Sequence, residues 1–295
     1  MEQITLEALN KADQQTFAAA IGDVMELAPW VADEAYAKRP FGGVAALYEA
    51  MTDAVKNAGD ERQRALIDGH PDLAGKAARD GKLTADSTAE QAGAGLDRLS
   101  DEEFVAFHRL NDAYRKKFAM PFIVCVRRHG KDSILREFER RLKNDPAQER
   151  ATALDEIYRI AALRLDQRVA AQDRLKVHGH LSTHVLDTHA GCPAQGVAIE
   201  LCEIAADGRS RALKRAITNA DGRTDKPLFT GMPVPIATYE LRFAVGDYFA
   251  ARSVPLPDPP FLGVVPIRFA VAEPESRYHV PLSVTPWAYS TYRGS

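Results

Sequence analysis

Residues 178–189 read HGHLSTHVLDTH, which places four of the chain's eight histidines, His178, His180, His184 and His189, within twelve positions. Three readings compete: a metal cage, a pH switch, or one catalytic histidine with bystanders. LSTHVLD reads as a strand, in which successive side chains point to opposite faces. His180 and His184 then share a face, but four residues at ~3.3 Å each set them about 13 Å apart. That is too far for two ligands of one zinc ion, whose bonds are about 2.0–2.1 Å. His178 precedes the strand and His189 follows it on the other parity, so the spacing speaks against a compact four-histidine cage.

Reading outward from this strand, the alternation continues. Val197, Ile199 and Leu201 fall on one side of a second strand, which ends at Asp207-Gly208, a hairpin signal. A second pair, Asp221-Gly222, predicts a second hairpin. Tyr239–Val245, Val264–Ala272 and Tyr278–Val284 are further strand candidates, separated by proline-rich stretches such as VPLPDPPFLG. A small β-sandwich is the economical architecture.

Toward the N-terminus the period changes. Val44, Leu47, Tyr48, Met51 and Val55 recur at helical spacing, as do Leu154, Ile157, Ile160 and Ala161. Of 17 prolines, five precede residue 165 and twelve follow residue 190, which separates an all-α half from a β half. The expected division is an all-α domain over 1–168, a linker over 169–179 drawn from the polar stretch DQRVAAQDRLKVHG, and a β domain over 180–295.

Composition narrows the function class. With 38 basic and 41 acidic residues and no long run of either, the chain has no tract suited to nucleic acid or an anionic membrane. A small molecule or another copy of the chain is the expected partner. Three widely spaced cysteines, Cys125, Cys192 and Cys202, form neither a disulfide framework nor a zinc ribbon, and point to a reducing compartment. The N-terminal residues lack a signal-peptide pattern and no stretch approaches a membrane span, so the expected location is cytoplasmic.

Several polar residues of the first half sit in unusual places. Arg164 falls at i+7 on the apolar face of Ile157, Ile160 and Ala161; it either snorkels or caps at the helix end, or binds an anion in a pocket. His70, between Gly69 and Pro71, occupies a loop where an imidazole can face a cleft and titrate near neutrality. Ser87 and Glu90 form an S-x-x-E capping box by pattern, and Gln91 shares their helical face without being explained by it.

Taken in order, APWVADEAYAKRPF (28–41), LIDGHPDLAGK (66–76), LTADSTAEQAGAGLDRL (83–99), LNDAYRKKFAMPFIVCVR (110–127) and ALDEIYRIAALRL (153–165) resemble the 2-oxo-4-hydroxy-4-carboxy-5-ureidoimidazoline (OHCU) decarboxylases of urate breakdown. The resemblance implies an all-α fold and cofactor-free decarboxylation to (S)-allantoin, with His70 as general acid and Glu90 and Arg164 beside it. It further implies substrate-binding segments at Pro71, at Ser87, Thr88, Ala89, Glu90 and Gln91, and at Phe122, Ile123, Val124, Cys125 and Val126. Chemically, loss of carbon dioxide leaves carbanion-like charge, which a cation can stabilise while an acid protonates one face. Where many relatives have Gly-Phe, this chain has Ala119-Met120, from which a modest change of pocket wall is expected.

The second half resembles 5-hydroxyisourate hydrolase, the transthyretin-like enzyme, through LSTHVLDTHAGCPAQGVAIEL (181–201), TNADGRTDKPL (218–228), YELRFAVGDYF (239–249) and YHVPLSVTPWAYSTYRGS (278–295). The terminal Tyr-Arg-Gly-Ser is a feature separating the hydrolases from hormone carriers. This resemblance implies a metal-free site of His184, Arg223 and His279, with Tyr292 and Arg293 shaping the pocket, in a channel between subunits of a homotetramer. One imidazole acts as base for water while Arg223 stabilises the oxyanion; which of His184 and His279 takes the proton stays open. Phe261-Leu262-Gly263 replaces the usual Phe-Phe-Pro turn and bears on loop packing.

Two motif sets from consecutive reactions in one chain imply a bifunctional enzyme converting 5-hydroxyisourate to (S)-allantoin; the decarboxylase resemblance adds dimeric contacts between helical domains that could lie within the tetramer or join tetramers. The rival is a transthyretin-like binding or scaffold protein with one or both sites inactive.

Overall fold

The computed structural model describes residues 3–74 and 84–294, and the chain divides into two compact units, Met1–Val177 and His178–Ser295. Gly75, Lys76, Leu83 and Ser295, which belong to the motifs quoted above, lie outside the described residues.

The first unit is helical: α1 (Leu6–Lys11), α2 (Gln14–Ile21), α3 (Pro29–Tyr36), α4 (Val44–Asn57), α5 (Asp60–Asp68), α6 (Ala85–Gly93), α7 (Asp101–Phe118), α8 (Lys131–Arg141) and α9 (Pro146–Arg168). Local chemistry fixes the ends of the long helices. Ser100 and Glu103 form a reciprocal capping box at the start of α7, with acids in its first turn and Arg115, Lys116 and Lys117 in its last, matching the helix dipole. Asp145 caps α9 through Ala147 and Gln148, and Pro146 opens it where a missing N–H costs nothing.

The helix α9 is the spine of this unit. Besides its apolar residues it buries Glu149, Glu156, Arg164 and Asp166. At 100° per residue the first three lie within about 80° of one another, a charged stripe facing inward.

Two expectations for this half change. All-α is amended by a short parallel pair, β1 (Ile4–Thr5) with β2 (Val169–Ala170), which ties the N-terminal end to the exit of α9. The stretch expected as a linker belongs largely to the helical core: Val169, Leu175 and Val177 are buried in it. Asp173 accepts hydrogen bonds from Val44 N and Ala45 N at 2.8 and 3.0 Å, capping α4 from a distant part of the chain. Gly43 permits this approach, since a Cβ there would stand 2.6 Å from the Asp173 carboxylate.

The second unit contains a four-stranded antiparallel sheet, β7-β6-β8-β9, from β6 (Ala198–Ile204), β7 (Ser210–Ile217), β8 (Ala237–Ala244) and β9 (Val264–Val271). The other layer holds β3 (His180–Ser182) with β10 (Arg277–His279), and β4 (Val185–Asp187) between β5 (Cys192–Pro193) and β11 (Leu282–Val284), edged by β12 (Tyr289–Ser290). Val197, Ile199 and Leu201 are all buried, as their alternation predicts. The Asp207-Gly208 turn joins β6 to β7.

Three strand readings are corrected. LSTHVLD is two short strands interrupted at Thr183 and His184, because the Thr183 hydroxyl turns inward to the Val280 carbonyl at 2.7 Å. The strand read as Tyr239–Val245 ends at Ala244, and Val245–Ala251 is a helix, α10, whose Val245, Tyr248 and Phe249 are buried at i, i+3, i+4. Asp221-Gly222 forms a tight turn rather than joining two ladder strands; it sets Arg223 opposite His184 in an isolated bridge. At the replaced turn, Phe261 is exposed while the Gly263 carbonyl accepts from Gly246 N at 2.8 Å.

The distant cap makes a test. Asp173→Ala should lower stability by about 1 kcal/mol, the usual worth of a capping carboxylate, read as the midpoint of urea denaturation. Its N–H partners hold the carboxyl below its ordinary pKa, so the contribution is present at neutral pH and lost as pH falls through that lowered value. An unchanged midpoint at neutral pH would show that residues 169–177 do not support the helical unit.

Candidate active sites

In the helical unit the site grows from Arg164, 3% exposed and far from the snorkelling position its sequence also allowed. Its Nε and Nη2 donate to the two oxygens of Glu90 at 3.0 and 2.9 Å. Its Nη1 donates to Glu26 at 2.9 Å, and Nη2 lies 3.4 Å from the Ser87 hydroxyl. A buried guanidinium left unpaired would cost several kcal/mol, roughly; here two carboxylates flank it.

Glu26 was not anticipated. It also accepts from the hydroxyls of Thr84 at 2.6 Å and Ser87 at 3.0 Å. Burial opposes its ionisation, but the Thr84 hydroxyl and the Arg164 charge together hold the carboxyl below its ordinary pKa. The one available signal is an acid inside the apolar run VMELAPWVA.

The capping-box reading of Ser87 and Glu90 is overturned. Thr84 is the N-cap of α6, accepting from Ser87 N, which frees the Ser87 and Glu90 side chains for Glu26 and Arg164. Helical periodicity also divides the run Ser87–Gln91: Ser87, Glu90 and Gln91 face inward, whereas Thr88 and Ala89 are exposed on the opposite face.

His70 is buried, and its Nδ1 lies 2.8 Å from the Leu66 carbonyl. A carbonyl only accepts, so Nδ1 carries the proton and Nε2 is left for chemistry. Burial pushes the imidazole pKa down; the Leu66 hydrogen bond and Glu26 pull the other way without reversing it. The loop after His70 is pinned by three side chains: Gln91 Oε1 accepts from Ala74 N at 3.1 Å, Asn111 donates to the Leu73 carbonyl at 2.8 Å, and Arg115 holds Asp72 at 3.0 Å. Pro71 is half-buried at its start.

Phe122, Ile123, Val124, Cys125 and Val126 are all buried, and the Phe122 ring stacks on Phe138 at 3.6 Å. With its side chains in the core, this segment offers a ligand its backbone. Met120 is buried beside it, and Ala119 holds φ 54°, a left-handed position where glycine would be relaxed. Leu27 (50°) and Ala74 (51°) have similar strain, so three of the four non-glycine residues described with positive φ adjoin segments of this site.

In the sheet unit, His184, Arg223 and His279 come together. His184 and Arg223 form the isolated bridge, and the Gly222 carbonyl accepts from Val185 N at 2.8 Å. His279 reaches the same face from β10, its Nδ1 3.0 Å from the Ser182 hydroxyl. Burial first, then the Arg223 charge, pushes both imidazoles below the ordinary histidine pKa. Hydrogen bonding to the Asp221 carbonyl opposes this for His184, whose Nε2 is buried without a partner. Among the described residues Arg223 makes no ion pair, so its guanidinium is free for an anion.

Two glycines seat the imidazoles. Gly222, at φ 70°, allows the turn to close on His184; a Cβ there would meet the Val185 carbonyl at 2.3 Å and His184 Cδ2 at 3.2 Å. Gly294 donates to the His279 carbonyl at 2.8 Å, and a Cβ on it would sit 2.9 Å from His279 Cδ2.

Tyr292 and Arg293 are placed differently. They line a hollow of about 310 Å³ with Arg268, Glu273 and Tyr278, and the Arg293 guanidinium lies 4.8 Å over the Tyr278 ring. Alternation along β10 puts that ring on the opposite side from His279. Of the histidine cluster, His180 opens β3 and its charge bears on His279, while His189 packs edge-on against Phe249 at 6.4 Å.

Comparison with known proteins divides the chain at the same place. The OHCU decarboxylase family model matches residues 10–166, and the HIUase/Transthyretin family model matches residues 181–294. The 2-oxo-4-hydroxy-4-carboxy-5-ureidoimidazoline decarboxylase of Haloferax volcanii is 40% identical over 172 residues, 58% of this chain and 100% of the relative. The 5-hydroxyisourate hydrolase 2 of Rhizobium meliloti is 51% identical over 117 residues, 40% of this chain and 97% of the relative. A crystal structure of (S)-allantoin synthase aligns with 31% identity and a TM-score of 0.50, covering 99% of this chain and 100% of that one. The chain therefore belongs to the OHCU decarboxylase family through its helical unit and to the HIUase/transthyretin family through its sheet unit.

Proposed function

We propose that the two units catalyse consecutive reactions of urate breakdown, the sheet unit hydrolysing 5-hydroxyisourate to OHCU and the helical unit decarboxylating OHCU to (S)-allantoin. The observation that supports this most is that each family-matched segment contains its own constellation around an imidazole with a lowered pKa.

In the hydrolase site the attacking water gives its proton to the Nε2 of a neutral imidazole, His184 or His279, as it adds to an acyl carbon. The unpaired Arg223 guanidinium faces the oxygen that becomes negative, and the C–N bond then breaks with the proton returned to nitrogen. In the decarboxylase site the C–C bond electrons remain on the ring carbon as carbon dioxide leaves. His70 Nε2 takes up the proton of the substrate's ring hydroxyl, and the resulting imidazolium, stabilised by the nearby Glu26 carboxylate, returns it to the ring carbanion. Arg164, flanked by Glu90 and Glu26, fixes these carboxylates rather than standing as a free cation. The Gln91 amide N–H groups, opposite the oxygen that holds Ala74, are available to the ureido group.

Joining the units raises the local concentration of the intermediate at its next site. A homotetramer through the sheet unit, pairing of helical units and a cytoplasmic location belong to the same proposal; among the described residues no helix is long and apolar enough to cross a membrane.

Freshly generated 5-hydroxyisourate should give one allantoin enantiomer by circular dichroism. His184→Ala should slow loss of 5-hydroxyisourate by about 10²- to 10⁴-fold, the worth of a positioned base. His70→Ala should leave that loss unchanged and accumulate OHCU. Racemic product formed at the uncatalysed rate by the wild-type chain would favour a scaffold role.

The pH profile gives a second test. Because burial and then the Arg223 charge disfavour both imidazolium forms, the acid limb of kcat/KM for hydrolysis should lie below the ordinary histidine value of about 6.5. Arg223→Gln should lower the rate by roughly 10²- to 10³-fold and move the acid limb to higher pH. An unmoved limb would show that these imidazoles are not the groups titrating.

A further inference from the structure

Arg141 and Glu156 belong to none of the reacting groups above, yet both end on the backbone of the segment that follows α7. Residues 121–125 form neither helix nor strand and are wholly buried. Buried backbone without a ladder must find partners for its N–H and C=O groups. The Ile123 carbonyl accepts from Arg141 Nη1 at 2.6 Å, and Cys125 N donates to Glu156 Oε2 at 2.8 Å.

The Arg141 anchor is itself rigidly held. Its Nε donates to Glu149 Oε1 at 2.7 Å, Asn144 donates to Glu149 Oε2 at 2.7 Å, and the Tyr114 hydroxyl bonds the same carboxylate. Arg141 and Glu149 are 1% and 0% exposed, and the Arg141 guanidinium lies 4.5 Å over the Phe122 ring. Replacing such an ion pair with apolar residues often leaves stability unharmed, so its presence calls for a role beyond stability.

Between the two anchored residues lies Val124, 3% exposed. Among the described residues, neither its N–H nor its carbonyl has a protein hydrogen-bond partner. In an extended stretch, anchoring residues 123 and 125 on one side turns the groups of residue 124 to the other. A donor and an acceptor side by side complement the N–H and C=O edge of a cyclic amide or ureido group.

We infer that Arg141 and Glu156 are positioning residues for the decarboxylation site, holding the Val124 N–H and carbonyl toward the amide edge of the substrate. This rests on the proposed reading that residues 122–126 face the substrate.

The test compares Glu156 variants of the full chain, assayed on enzymatically generated OHCU. Glu156→Gln keeps an oxygen acceptor for Cys125 N–H and should hold KM within about twofold, whereas Glu156→Leu should raise KM roughly tenfold, the effect expected for losing uniform binding energy. Hydrolysis of 5-hydroxyisourate by the same preparations is the internal control and should not change. If Glu156→Leu fails to fold, Glu156→Asp, which keeps the charge but withdraws it from Cys125, should show the same rise in KM. A merely structural role would lower kcat and the melting temperature with KM constant, and that result would overturn the inference. Absence of decarboxylation in the wild-type chain would instead refute the functional reading on which it rests.

Discussion

A charge placed inside a helical core has to be met by an opposite charge or a backbone dipole, and α9 places four of them there, of which Asp166 is met by Arg174. Glu149 meets Arg141, Glu156 meets the Cys125 N–H, and Arg164 meets Glu26 and Glu90. Because these partners come from loops and helices far apart in sequence, satisfying one helix fixes the α6 face, the loop carrying Glu26 and the segment after α7. The strain at Leu27, Ala74 and Ala119 is held at these same places. Breaking such a pair by removing one partner costs about 3–5 kcal/mol, so the site's geometry and the unit's stability are coupled.

The sheet unit reaches a comparable end by a different route. Among the described residues its site carries no buried ion pair; His184 and His279 are set by close glycine contacts, a serine hydroxyl and strand register. Each unit nevertheless holds an imidazole by its Nδ1, His70 on the Leu66 carbonyl and His279 on the Ser182 hydroxyl. For His70 that oxygen is a backbone carbonyl, so its tautomer follows from the fold, while the buried Nε2 of His184 has no partner among the described residues. Burial keeps each ring neutral, and the nearby fixed charge differs in sign: a carboxylate beside His70, a guanidinium beside His184.

What the sequence disclosed follows from how local each feature is. Helical and strand periodicity separated the halves, and Arg164 stood out because a guanidinium on an apolar stripe is a local contradiction. Glu26 did not, since its meaning depends on Arg164, 138 positions away. The S-x-x-E pattern misled because Thr84, three residues before Ser87, is an equally good cap and left Ser87 free. Thr88 and Ala89, which the family resemblance includes in a binding segment, are turned outward by helical periodicity. Within one chain, alternation places Gly294 against His279, and Tyr292 and Arg293 line a separate hollow.

The decarboxylation site depends on His70 being a neutral imidazole with its proton on Nδ1, supported by the Glu26–Arg164–Glu90 cluster. Side-chain ¹⁵N NMR of histidine-labelled protein tests it directly. At neutral pH, His70 should show a protonated Nδ1 and a free Nε2, with a pKa below about 6.5 that falls further in Glu26→Gln as the stabilising carboxylate charge is removed. A His70 that is imidazolium at neutral pH, protonated on Nε2 alone, or indifferent to Glu26→Gln would contradict it.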